Sequence, residues 1–252
     1  MLRQSLSTIA LVATLFGAGC VTAPPPYNPF KVPEQGFRDR FKTVAMAPVA
    51  VPGDLAEPDP VKAKFASLVE AKLREAGFTV VSSKETLDLF QNMSKQLGGI
   101  FDPVTGKRDE AKFKAAREHT LRELGTKFKA EAVVYSTIFA GPARFGGGTA
   151  HWNGASESIT MAQGFLASFQ VNNLSGTTRA LSLGVSIEDI NGTDLYANAG
   201  GIQLAAKYSG GQFNAVPRDQ LFLDEGRNAA SVTVALEPLV KSLAGGAPQP
   251  PR

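Results

Sequence analysis

Ala132-Val133-Val134-Tyr135-Ser136-Thr137-Ile138 is the stretch on which the reading of this chain turns. It is rich in β-branched residues and shows no sustained polar alternation, which suits a strand buried on both faces. Upstream, Thr43-Val44-Ala45-Met46-Ala47-Pro48-Val49 is a short apolar run that predicts a first strand, with pairing ending near Pro48. The turn residues Pro52, Gly53, Asp54, Pro58, Asp59 and Pro60 follow. Next, Phe65, Leu68, Val69, Leu73 and Ala76 fall on one stripe of a 3.6-residue period, which predicts a helix. Gly77 is placed to end that helix with positive φ, and Phe78-Thr79-Val80-Val81 reads as a second strand. A helix beginning near Ser83 carries Leu87, Phe90, Met93 and Leu97 and stops at Gly98-Gly99. Another, from about Asp109, presents Phe113, Ala116, Thr120, Leu121 and Leu124 and stops at Gly125.

Past the decisive strand the texture changes. Between Lys42 and Glu131, 28 of 90 residues are charged; between Gly141 and Gly211 only 7 of 71 are, and that stretch holds 13 of the 25 glycines. The first part therefore reads as amphipathic helices around short strands, the second as strands and turns. Phe165, Ala167, Phe169 and Val171 alternate with polar neighbours, as do Leu181, Leu183, Val185 and Ile187 with Ser182, Gly184, Ser186 and Glu188. Asn191-Gly192 is a hairpin signal of the two-positive-φ kind. A last helix from about Asp224 lines up Ala229, Val232, Leu236, Leu239, Val240 and Leu243, with a kink expected at Pro238. The fold class expected is α/β (α+β): a mixed β-sheet of about five to six strands with helices packed on it, ending in a β-hairpin and a C-terminal helix.

The start of the chain reads as an address. A cationic Arg3 precedes an apolar run from Leu6 to Gly19, too short for the roughly 20 residues that span a bilayer as a helix. Residues 1–19 are therefore read as a signal peptide. The small residues Gly17, Ala18 and Gly19 before Cys20, the single cysteine of the 252-residue chain, resemble the lipobox of bacterial lipoproteins. That resemblance implies lipidation of Cys20, cleavage before it and, with Val21 rather than Asp next, an outer-membrane location facing the periplasm. Residues 20–41, with five prolines between Val21 and Pro33, are read as a tether favouring extended polyproline conformation. Residues 42–244 form one α/β domain, and residues 245–252 a polar Pro/Gly tail.

The helix end Glu75-Ala76-Gly77-Phe78-Thr79-Val80-Val81, the run Ala130-Glu131-Ala132-Val133-Val134-Tyr135 and the hairpin Val185–Tyr196 together resemble one group of lipoproteins. This group shares the periplasmic domain found in the curli-secretion lipoprotein CsgG, the penicillin-binding-protein activator LpoB and the amino-terminal domain of TolB. The resemblance covers roughly residues 42–243. It implies a module that binds other envelope components, either a protein or a peptidoglycan-associated partner, or a subunit that assembles into a secretion pore. Alternation between Gly164 and Glu188 is the feature that speaks for a pore, since a membrane strand needs ~9–11 residues with one apolar face.

Chemistry is sparse. One cysteine and two histidines leave no multi-thiolate metal site, and no metal or cofactor is expected. A net charge of +3 does not advertise nucleic-acid binding. Ser156 and Ser158 lie near His151 in sequence, but no nucleophile-elbow pattern accompanies them, and the expectation is a protein without catalytic residues. His119 falls at the border of a helical apolar stripe, and Gly146-Gly147-Gly148 lacks the residues of a phosphate-binding loop, reading instead as a flexible loop. Loops leaving the carboxyl ends of parallel strands gather on one edge where ligands bind. Arg144, Phe145, His151 and Trp152, on the loop expected between Gly141 and Gly154, are accordingly the candidate partner-binding residues. Trp152 has two readings, as part of that edge or folded back into the core.

Overall fold

The computed structural model describes residues 27–34, 37–53, 58–160, 171 and 173–244. Cys20, the signal peptide and the tail lie outside the described residues, as does most of the strand expected around Phe165–Phe169. The helices are α1 (Phe37–Arg40), α2 (Pro58–Glu75), α3 (Ser83–Gln96), α4 (Glu110–Lys127) and α5 (Glu225–Ala244). The strands are β1 (Thr43–Met46), β2 (Thr79–Val81), β3 (Ala132–Gly146), β4 (Thr149–Trp152), β5 (Ala155–Ser158), β6 (Ser175–Asp189), β7 (Asp194–Leu204), β8 (Ala206–Ser209) and β9 (Gln212–Ala215).

The fold is the mixed α/β arrangement expected, with seven strands in the main sheet and β8–β9 as a separate hairpin. Strands β1, β2 and the start of β3 are parallel, with Val44 beside Val80 on one side and Ala132 on the other. β3 then pairs antiparallel with β6 along its whole length, from Ala132↔Asp189 to Gly146↔Ser175. β7 continues the sheet beyond β6, and the β4–β5 hairpin continues it beyond the far end of β3.

The period-two reading of β6 holds. Leu181, Leu183, Val185 and Ile187 are buried on the face that meets α2 and α5, in a core with Val44, Met46, Val134 and Ile138. The helical stripe of α2 holds equally, with Phe65, Val69 and Leu73 fully enclosed. Burying each such side chain contributes about 1.5–3 kcal/mol. Gly77 takes φ +84 just past α2, and the Phe78 amide donates back to the Leu73 carbonyl at 3.1 Å, closing the helix end. On the opposite face a smaller core joins Ala45, Val81, Leu124, Ala130 and Val133. A third, of Ala143, Ala150, Trp152, Ile159, Val171, Ala180 and Leu204, fills the curl formed where β4 and β5 fold back over β7.

Four boundaries depart from the sequence reading. First, Phe30, Phe37 and Phe41, assigned above to the tether, are buried in the main core. Phe30 meets Phe37 and Tyr196 edge-on, with ring centroids 5.8 and 5.3 Å apart. Second, α4 runs through Gly125 to Lys127. A Cβ on Gly125 would stand 3.2 Å from the Ile190 side chain, so its smallness serves packing, and Lys129 at φ +57 turns the chain instead.

Third, β3 does not end near Gly141. It continues through Pro142 to Gly146, and Gly147 and Gly148, at φ +60 and +87, make a tight hairpin turn in place of a flexible loop. Pro142 is tolerated because backbone groups alternate sides along a strand. The Ile138 amide points toward the β1 side, at the Ala50 carbonyl, so residue 142 also faces that side, between the end of β1 and the Trp152 end of β4. Fourth, α5 buries Asn228 and Ser231 along with Val232, Ala235, Leu236 and Leu239, whereas Ala229 is exposed. The reason is a close approach: a Cβ on Gly200 of β7 would fall 1.9 Å from the Ser231 carbonyl oxygen.

The stretch from Gly164 to Glu188 is described only in part. Its described portion includes β6, a central strand paired on both edges.

Candidate binding surface

The sheet face opposite α2 and α5 is covered unevenly, and the gaps in that cover are the surfaces available to a partner. α3 begins with a capping box: the Glu85 amide donates to Ser82 Oγ, and the Ser82 amide donates to the Glu85 carboxylate at 2.9 Å. Yet only Thr86 of α3 is buried, and Leu87 is 36% exposed. The helix stands off the sheet at that end and leaves a groove of about 290 Å³ between α3, α4 and the ends of β1 and β3. Its walls are Ala47, Pro48, Leu87, Phe90, Phe113, Leu121, Leu124, Val133 and Tyr135. Phe90 meets Phe113 edge-on at 5.7 Å, and the Arg108 guanidinium lies 4.3 Å from the centroid of the Phe113 ring.

Polar chemistry enters at the rim. Arg117 on α4 donates to Glu188 Oε2 at 2.7 Å and to the Tyr135 hydroxyl at 3.4 Å. Tyr135 and then Glu188 hold its guanidinium above the ordinary arginine range against the opposing effect of burial, so it stays cationic. Arg108, over the Phe113 ring, and Arg117 bring guanidinium groups to this rim, paired with Glu110 and Glu188 respectively. Next to Tyr135, the middle of the same sheet face carries no helix. Thr137, Phe139, Gly184, Ser186, Ala197 and Ala199 line a shallower depression of about 690 Å³ there, with Tyr27 at its edge. Phe139 lies across Gly184, where a Cβ would come within 3.2 Å of the ring.

The four residues singled out in sequence are brought together on one hairpin and then divided between its faces. Arg144 and His151 are cross-strand neighbours, both exposed. Phe145 is half-buried against Phe213 at 5.2 Å. Trp152 is 8% exposed and its indole N–H donates to the Leu181 carbonyl at 3.2 Å, so it takes the core reading. Ser156 lies directly across from His151 on β5, with both side chains on the solvent side, and His119 is a boundary residue 3.3 Å from Arg122.

Two charged groupings escaped the sequence reading. One is Arg117 with Tyr135 and Glu188. The other centres on Glu157, whose side chain is 6% exposed. It pairs with Lys207 and Arg227, both at 2.6 Å, and accepts the Leu204 amide at 2.8 Å. It clamps β5 to β7, β8 and α5. For the second, the available signal was Glu157 itself, the single charged residue between Arg144 and Arg179. Among the described residues, no three His, Cys, Asp or Glu side chains converge in a metal-binding arrangement.

No family model matches the chain, and no curated protein matches it. Among solved structures, a hypothetical protein from Chlamydia trachomatis is similar at 12% identity with a TM-score of 0.32, covering 81% of this chain and 93% of its own. That likeness is too loose to bear on fold or function.

Proposed function

We propose that this protein is a lipid-anchored outer-membrane lipoprotein facing the periplasm, where it acts as a non-catalytic interaction module of the cell envelope. The observation that carries the binding role is the open groove between α3, α4 and the sheet, walled almost wholly by carbon, with the Arg108 and Arg117 guanidinium groups at its rim. Apolar concave surfaces with a few placed polar groups are where partners bind. The groove suits a partner protein segment that offers an apolar side chain to Phe90 and Phe113 and acidic flanks to the α4 side. The signal-peptide pattern ending at Cys20 and the resemblance to the CsgG, LpoB and TolB group support the location.

The test is crosslinking capture from envelopes, comparing the lipidated protein with a Leu87→Glu variant. Leu87 is exposed enough for the variant to fold, and the new charge lies in the groove. Capture by the parent chain and loss by the variant is the expected result. Equal capture by both would overturn the groove as the docking site. Cys20→Ser should abolish sedimentation with membranes. Elution of the detergent-solubilised protein at many times the monomer mass would favour the pore-subunit reading instead.

A further inference from the structure

We infer that residues Tyr27–Lys31 set which edge of the sheet faces the membrane, and that this edge is β7. The inference rests on the reading of Cys20 as the lipid anchor. The segment runs along the outer edge of β7 as an added strand. The Lys31 amide donates to the Leu195 carbonyl at 2.9 Å, the Ala197 amide donates to the Pro29 carbonyl at 2.9 Å, and the Tyr27 hydroxyl donates to the Ala197 carbonyl at 2.7 Å. Phe30, packed between Phe37 and Tyr196, pins the segment into the main core.

The leash that remains is therefore short. Seven Cα steps separate Cys20 from Tyr27, and at full extension they reach about 25 Å. The sheet runs β7, β6, β3, β1, β2 away from this edge. Counting the added strand, five strand spacings put the β2 side about 24 Å from the attachment point before any helix is added. Turning the β2 side to the bilayer would consume the whole leash merely in crossing the sheet. The β7 edge thus stays next to the headgroups, and α3, beside β2, points into the periplasm.

The experiment uses the full lipidated chain in phosphatidylethanolamine/phosphatidylglycerol vesicles carrying an acceptor dye on the headgroups. A donor dye is attached at Asp194→Cys, on the β7 edge, or at Lys84→Cys, on α3; both sites are exposed. The Asp194→Cys donor is expected closer to the bilayer by a large part of the roughly 24 Å sheet width. Equal distances, or the reverse order, would overturn the orientation. Inserting a Gly/Ser linker of about 20 residues between Pro26 and Tyr27 leaves the added strand intact and should erase the difference. A difference that survives the insertion would show that something other than the leash orients the domain. Lack of transfer from both positions would defeat the anchor reading, and the orientation with it.

Discussion

Replacing Glu157 by Gln keeps an acceptor for the Leu204 amide but leaves Lys207 and Arg227 facing a neutral group. Both cations retain a path to water, so the expected cost is about 1–3 kcal/mol rather than that of a fully enclosed broken pair, read as a lower urea midpoint. Asp189 offers a test by pH. It accepts the Asn191 and Thr193 amides at 2.9 and 2.8 Å and lies 3.8 Å from Arg40. Burial alone would raise its pKa, but the two amides and Arg40 outweigh it and hold the carboxyl below its ordinary value of 3.8. A folded pKa below the unfolded one means the contribution is complete above the unfolded value and is lost as pH falls through the folded one. Between about pH 5 and pH 2 the parent chain should lose more stability than Asp189→Asn, measured by thermal melts across that range. The same residue explains a misread turn. Asn191-Gly192 marks the β6–β7 connection correctly, but only Gly192 of the pair has positive φ, because the Asp189 carboxylate organises a longer loop. Two-residue turns with both φ positive occur instead at Gly147-Gly148, Asn153-Gly154 and Gly210-Gly211, which close the β3–β4, β4–β5 and β8–β9 hairpins.

At the scale of elements, α5 contains its proline at residue 238 and remains one helix from Glu225 to Ala244. A proline has no N–H to donate to the carbonyl four residues back, here that of Val234. Asn198 on β7 supplies the missing donor: its Nδ2 lies 3.1 Å from the Val234 carbonyl and 3.2 Å from that of Ala235. Asn198→Ala should therefore cost about 1–2 kcal/mol in the parent chain and less in a Pro238→Ala background, where the helix satisfies its own carbonyl. A double-mutant cycle in urea without coupling would refute this compensation. The α2 stripe was legible because burial of Phe65, Val69 and Leu73 follows helical spacing, a local property. The extension of β3 through Gly141-Pro142 was not, since local propensity reads a stop there and the fifteen-residue pairing with β6 overrides it. The candidate site fared similarly: Arg144 and His151 were placed together, but the sequence does not say which hairpin face turns inward, and the α3/α4 groove depends on a helix standing off the sheet.

Across the whole molecule, β3 and β6 pass without a break from the main core into the core of the β4–β5 curl. The two regions should therefore unfold together, as a single calorimetric transition whose van't Hoff and calorimetric enthalpies agree. Two resolved peaks would mean that the curl is an independent unit. The overall α/β architecture was readable because strand and helix periods alternate along the chain; the joining of two cores was not, since it arises from pairing between residues far apart. Pro142 has a consequence at this scale. Any unpaired stretch of strand is a template on which neighbouring chains can add, and the proposed lipid anchor would raise the local density of copies. The edge of β3 between β1 and β4 is such a stretch, and a ring nitrogen that cannot donate stands in the middle of it. The residue that looked like the end of a strand thus serves as its guard against aggregation.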